Sequence, residues 1–257
     1  EYKAKFTIWG FRYAKVETDI DLRDAEFPAI AVYSKMQELG TFTCSNADVN
    51  QLVHNSIWSQ KSNFCDVPTD CPTRERAACT GDMGVFAATG LYLEDCYPVI
   101  RKWLAECRIT QHEDGKLNNI SPRNNNPSFF SGLLAGSVGW GDACIIVPYV
   151  LYQRYGDVRI LEENYVMMQK WYSFLEGRAK NKPDDVAEFM KQNPYRDYTI
   201  ETGVDYGEWC EPDIDSTSAM RTPQQKVATA YFACSGQILA EIAKNIKKME
   251  DAGHYRT

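Results

Sequence analysis

The hydrophobic rhythm of the chain changes near residue 45. Before that point, "AKFTIWGFRYAKVE" alternates bulky and polar side chains: Phe6, Ile8, then Phe11, Tyr13 and Val16. This is the period of a strand, with a bulge near Gly10. "FPAIAVYSKM" reads as a second strand. From Ser45 the spacing becomes helical. Ser45 or Asn46 caps a predicted helix running to about Asn63, with Val49, Leu52, Val53, Ser56 and Ile57 on one face. Further helices are predicted at about 82–94, 98–108, 141–155, 158–179 and 223–248, with a short one at 184–191. Pro98 stands in a first turn, where its missing N–H costs nothing.

Three segments repeat a common plan. "LYLEDCYPVIRKWL", "LYQRYGDVRILEENY" and "LAEIAKNIKKMEDAGHYR" each end one helix, turn briefly and begin another. A series of αα-hairpins is the signature of helical toroids and solenoids. The other connections are long: 109–139 is rich in Asn, Pro, Ser and Gly, and 181–222 is mostly loop. Loops of that length inside a compact domain are usually functional or disordered. If the hairpins face the same way, the long loops gather at one end and form a mouth, where ligands bind.

Composition narrows the partners. Apolar residues make up 44% and charged residues 25%, the proportions of an ordinary folded protein. A net charge of −7 argues against nucleic acid or an anionic membrane as the main partner. No apolar run is long enough to span a bilayer. The nine cysteines form no CxxC pair and the three histidines, His54, His112 and His254, are far apart, so no metal-ligand spacing is present. Buried thiols in a reduced, cytoplasmic protein are the plainest reading. The chain begins at Glu1 without a methionine or a signal-like segment, so it is expected to be a piece of a longer protein.

The densest chemistry lies in "DCPTRERAACTGD", residues 70–82. Asp70, Arg74, Glu75, Arg76 and Asp82 crowd into a stretch that Pro72 and Gly81 keep from being one helix. Taken singly, each has a bland reading. Asp82 is a helix N-terminal acid, Arg74–Glu75–Arg76 a solvated ion-pair cluster, and Asp70 a brace for the turn at Cys71–Pro72. A site that needs one carboxyl protonated and another ionised would also keep them together. Trp140, which opens a helix beside Asp142, and Trp209, in a loop, read either as core packing or as flat apolar surfaces with one donor each. Trp9, Trp58, Trp103 and Trp171 fall in strand or helix periodicity and read as packing.

Together the motif resembles the centre of the bacterial α-L-rhamnosidases, glycoside hydrolase family 78. "GFRY", "WGDACIIVPYVLYQRYGD" (140–157), "YGEWCEP" (206–212) and "TPQQKVATAYFACSGQILAEIA" (222–243) also resemble segments of that family, in order. The resemblance implies an (α/α)6 toroid, here the N-terminal half of it over 45–257, preceded over 1–44 by the end of a β-sandwich-type domain and a linker. It implies an inverting glycosidase that releases terminal α-L-rhamnose, with Glu75 as general acid. Asp70, Arg74, Asp82, Trp140 and Trp209 would hold the sugar. No metal or organic cofactor is implied, and the expected partner is a rhamnose-containing carbohydrate; oligomeric state is left open.

Two departures bear on this expectation. The family has Gly–Trp before Thr–Gly–Asp, where this chain has Ala78–Cys79. The family's general base is a downstream glutamate, expected beyond Thr257. Two rival readings stay open: a carbohydrate-binding pseudo-enzyme with a degenerate pocket, and another (α/α)6 glycosidase acting on a different sugar.

Overall fold

In the computed structural model the described residues are 3–5, 7–123, 134–208 and 223–255. Helix α1 (Ala47–Asn63) is capped by Asn46, whose side chain accepts from the N–H groups of Asp48 and Val49. A two-residue hairpin follows, β1 (Phe64–Cys65) against β2 (Val67–Pro68). Then come α2 (Thr80–Leu93), α3 (Tyr97–Thr110), α4 (Ala143–Tyr155) and α5 (Arg159–Lys180). A short α6 (Glu188–Lys191), a 3-10 turn at Arg196–Tyr198, α7 (Gln224–Asn245) and α8 (Met249–His254) complete the described elements.

The helices form two layers. α2, α4 and α7 pack side by side, as do α3 and α5 outside them, and each hairpin joins a helix of one layer to a helix of the other. The three hairpin turns are residues 94–96, 156–158 and 246–248, those marked by the repeated segments. The second turn closes on Gly156, in the left-handed conformation at φ 69°, whose N–H caps Tyr152. The described parts of the long connections therefore lead into the first turns of α2, α4 and α7 at the opposite end.

The core sits between the layers. Trp103, Leu104, Ile145, Leu151, Met168, Trp171, Leu175 and Leu239 are fully enclosed. The long connection after α5 is anchored as well. Ile200 enters the core, and Arg196 pairs with Glu201 at 3.0 Å. Arg178 of α5 holds Asp205 through both carboxylate oxygens, at 2.9 and 2.8 Å.

Three expectations change on contact with the structure. Residues 3–46, where described, form no strand and join no ladder; an isolated bridge, Glu38 to Glu94, ties them to the first hairpin turn. Their alternation is that of a strand, but a strand also needs a neighbour to hydrogen-bond. The apolar face of α1 is largely open, with Leu52 64% exposed and only Gln60 buried. Trp103 and Trp171 are core residues, whereas Trp9 and Trp58 are exposed. Trp58 meets Tyr33 edge-on, and Lys61 lies over both rings.

Candidate functional site

The loop before α2 closes on itself. The Asp70 N–H donates to the Ala77 carbonyl at 2.8 Å, and the Ala77 N–H donates back to the Asp70 carboxylate at 2.9 Å. Inside that clasp Arg76 takes a left-handed backbone at φ 50°, uncommon for a residue with a side chain. Its guanidinium reaches back to the Ile8 carbonyl at 3.0 Å, while the Gly10 N–H donates to the Pro72 carbonyl at 2.9 Å. The N-terminal segment thus straps the loop. A Cβ at position 10 would fall 2.7 Å from Thr73 Cγ2, so glycine permits this approach.

Within the loop, the Cys71 thiol donates to Glu75 at 3.0 Å, and the Arg74 guanidinium stands 3.7 Å from the same oxygen. Ligating atoms of Asp70, Cys71 and Glu75 lie within 4.8 Å of one another. Burial pushes the Asp70 carboxyl up. Hydrogen bonds from the Ala77 amide, from Cys71 and from Glu75 outweigh it, and the group titrates below its ordinary value. Asp82, in the first turn of α2, goes the other way. Desolvation raises it, its own backbone amide opposes, and the charges of Asp70 and Glu75 raise it further.

A pocket of about 550 Å³ opens beside this loop. Asp70, Gly81, Asp82, Gly139, Trp140, Glu208 and Tyr231 are among its walls, contributed by α2 and α7 and by the connections before α2, α4 and α7. The predicted Asp70, Asp82 and Trp140 therefore meet in one cavity. Glu75 and Arg74 sit on the solvent-facing rim, with side chains 54% and 80% exposed. Glu75 is joined to the pocket through Asp70. Trp209 lies outside the described residues.

Trp140 is held differently from the expected open platform. A Cβ on Gly81 would lie 2.5 and 2.6 Å from Cε2 and Cδ2 of the indole. Those atoms form the ring-fusion bond and can be approached so closely only across the ring face. Tyr206 stacks on the indole with centroids 4.1 Å apart and planes at 29°, and it must take the other face. Trp140 thus turns an edge to the pocket.

Asp142, next to Trp140 in the motif, is fully buried. Its carboxylate accepts from the Gly139 amide at 2.7 Å, Trp171 Nε1 at 3.2 Å and Ser235 Oγ at 2.5 Å, so it joins α4, α5 and α7 beneath the pocket. Burial raises its pKa despite those donors. Cys79, which precedes α2, is also raised by burial and by the surrounding acids, to about 12. A thiol so shifted is no nucleophile near neutrality. Each described cysteine is a free thiol, and no described helix is long and apolar enough to cross a membrane.

Residues 37–257 match the profile of the bacterial alpha-L-rhamnosidase 6 hairpin glycosidase domain. A protein of Formosa agariphila named alpha-L-rhamnosidase is 33% identical over 260 residues, covering 99% of this chain and 26% of that protein. The crystal structure of Streptomyces avermitilis alpha-L-rhamnosidase complexed with L-rhamnose is similar with a TM-score of 0.69 and 31% identity, over 87% of this chain and 19% of that one. The alpha-L-rhamnosidase from Dictyoglumus thermophilum gives a TM-score of 0.71 at 31% identity, over 87% and 22%. The chain spans about a quarter of the length of the curated relatives it matches, 26%, 26% and 22% for three of them.

Proposed function

The chain belongs to the bacterial α-L-rhamnosidase six-hairpin glycosidase family, and from that premise we propose that the protein carrying it hydrolyses terminal α-L-rhamnosides with inversion. Residues 1–44 are read as the end of a β-sandwich-type domain and its linker. Residues 45–257 are read as the N-terminal half of the catalytic toroid.

The observation that carries this reading is the approach of Asp70 and Glu75, with carboxylate oxygens within 4.8 Å of each other, beside a pocket lined by Asp70, Asp82 and Trp140. Glu75 protonates the leaving oxygen. Asp70, within 4.8 Å of Glu75, accepts from sugar hydroxyls. Asp82, Arg74 and Trp209 complete the sugar contacts. An inverting reaction also needs a carboxylate on the far face of the ring, about 6.5–9.5 Å from the acid, to activate water. The resemblance assigns that base to a glutamate of a later part of the barrel.

The test is made on the intact protein that carries residues 1–257. Glu75→Gln is expected to lower hydrolysis of alkyl α-L-rhamnosides by about a hundredfold or more, the usual worth of a general acid. Nitrophenyl rhamnosides, whose leaving group needs little protonation, should suffer less. NMR of the first product formed should show β-rhamnose. Equal losses on both substrates would remove Glu75 from the acid role. The pseudo-enzyme reading keeps one specific feature in its favour, Ala78–Cys79 in place of Gly–Trp. Binding of L-rhamnose without any turnover by the parent would select it.

A further inference from the structure

Trp140 depends on a residue that the pocket does not show. Among the described residues Trp140 lines the cavity and Tyr206 does not; Tyr206 lies behind the indole, stacked on it at 4.1 Å. The opposite face rests on α2 at Gly81. The indole is therefore a plate between two supports, one of them main chain and fixed, the other an aromatic side chain.

Tyr206 is itself well fixed. Its N–H donates to Ser137 Oγ at 3.2 Å, and the Ser137 carbonyl accepts from the amides of Trp140 and Gly141 at 3.3 and 3.0 Å. The preceding residue, Asp205, accepts from the Val138 amide at 2.8 Å and is gripped by Arg178. The phenol oxygen accepts from Asn119 Nδ2 at 3.4 Å, and the Asn119 carbonyl takes the Thr80 amide at the start of α2 at 2.8 Å. The supports of the indole thus belong to one frame, assembled from the connections before α2, α4 and α7.

We infer that Tyr206 is a positioning residue that, with Gly81, clamps Trp140 so that a fixed edge of the indole meets the sugar. This deepens the rhamnosidase reading and rests on it for the identity of the ligand. The clamp itself does not. Tyr206 acts by removing the indole's freedom to tilt, so its loss weakens binding in the ground and transition states alike. That pattern raises KM and leaves kcat nearly unchanged.

The experiment compares the parent intact protein with Tyr206→Phe, Tyr206→Leu and Tyr206→Ala. Acrylamide quenching of Trp140 fluorescence, isolated by subtracting a Trp140→Phe background in each case, reads the clamp without any sugar. Phe keeps the ring and should quench like the parent. Leu and Ala open one indole face and should quench more strongly. KM for nitrophenyl α-L-rhamnoside should rise about three- to tenfold in Leu and Ala, the worth of an aromatic pair, and stay near the parent in Phe. If Ala fails to fold, Leu, which keeps apolar bulk without a flat ring, decides the matter. Unchanged quenching in Leu would overturn the clamp, as would stronger quenching with an unaltered KM. A parent with no activity on rhamnosides would sink the functional reading alone; the quenching series would still decide the clamp.

Discussion

Gly81→Ala is the sharpest single test of the site's geometry. The new methyl would sit 2.5 Å from Cε2, 2.6 Å from Cδ2 and 2.8 Å from Nε1 of Trp140. Carbon atoms rest at about 3.5–4.0 Å, so roughly 1 Å of displacement is required. The indole cannot supply it freely, because Tyr206 lies against its other face. Overpacking of that kind costs about 1–3 kcal/mol. Helix propensity works in the opposite direction, since alanine is better than glycine by about 0.8–1.0 kcal/mol inside a helix. Residue 81 is only the second of α2, so that gain is smaller and the clash wins. Thermal denaturation of the 257-residue chain should show a lower midpoint, by about 2–4 °C for each kcal/mol. In a Trp140→Ala background the clash is gone and only propensity remains, so the sign of Gly81→Ala should become neutral or positive. The reasoning fails if Gly81→Ala is harmless beside Trp140, or equally harmful in both backgrounds.

Other expectations follow from charges and thiols. Glu94 is fully buried, with neither carboxylate oxygen hydrogen-bonded among the described residues and Lys61 3.7 Å away; burial first, then Glu38, raises its pKa against the pull of Lys61. A raised acid favours the fold below its unfolded pKa and loses that contribution as pH rises through the folded value, so Glu94→Gln should flatten denaturant stability measured from about pH 4 upward. An unchanged profile would show that Glu94 does not titrate differently on folding. Asp205→Ala strands the Arg178 guanidinium, whose side chain is 11% exposed, and should cost about 3–5 kcal/mol in a urea titration; a loss below about 1 kcal/mol would show that the pair is dispensable. Cys79, half-buried and raised to about 12, should escape iodoacetamide at pH 8 in the native protein, and its modification in a peptide map would contradict that shift.

Much of the architecture was legible because it is local. Helix α1 and its Asn46 cap are set by neighbouring residues, and the three hairpin turns by short polar breaks between apolar runs. Asp70, Asp82 and Trp140 were brought together by the family resemblance, and they line one cavity. What escaped depends on distant partners. Tyr206 meets Trp140 across two long connections, and no spacing rule links residues so far apart in the chain. Asp142 shares a motif with Trp140, yet its oxygens point into the core, toward Trp171 and Ser235. The alternation before residue 45 is a true pattern whose pairing partner the sequence of the segment cannot specify. Trp9 and Trp58 had core-like spacing but lie on faces that the described residues leave open.

The common direction of the hairpins has an electrostatic consequence. α2, α4 and α7 all begin at the long-connection end, and α2 brings its first turn, with Gly81 and Asp82, into the pocket wall. Each helix start carries about half a positive charge from aligned peptide dipoles. Asp82 in that turn is thus met by a backbone amide, a partner that does not compete for hydroxyl contacts as a lysine or arginine side chain would. That compensation is built into the main chain, so substitution of surface residues cannot remove it.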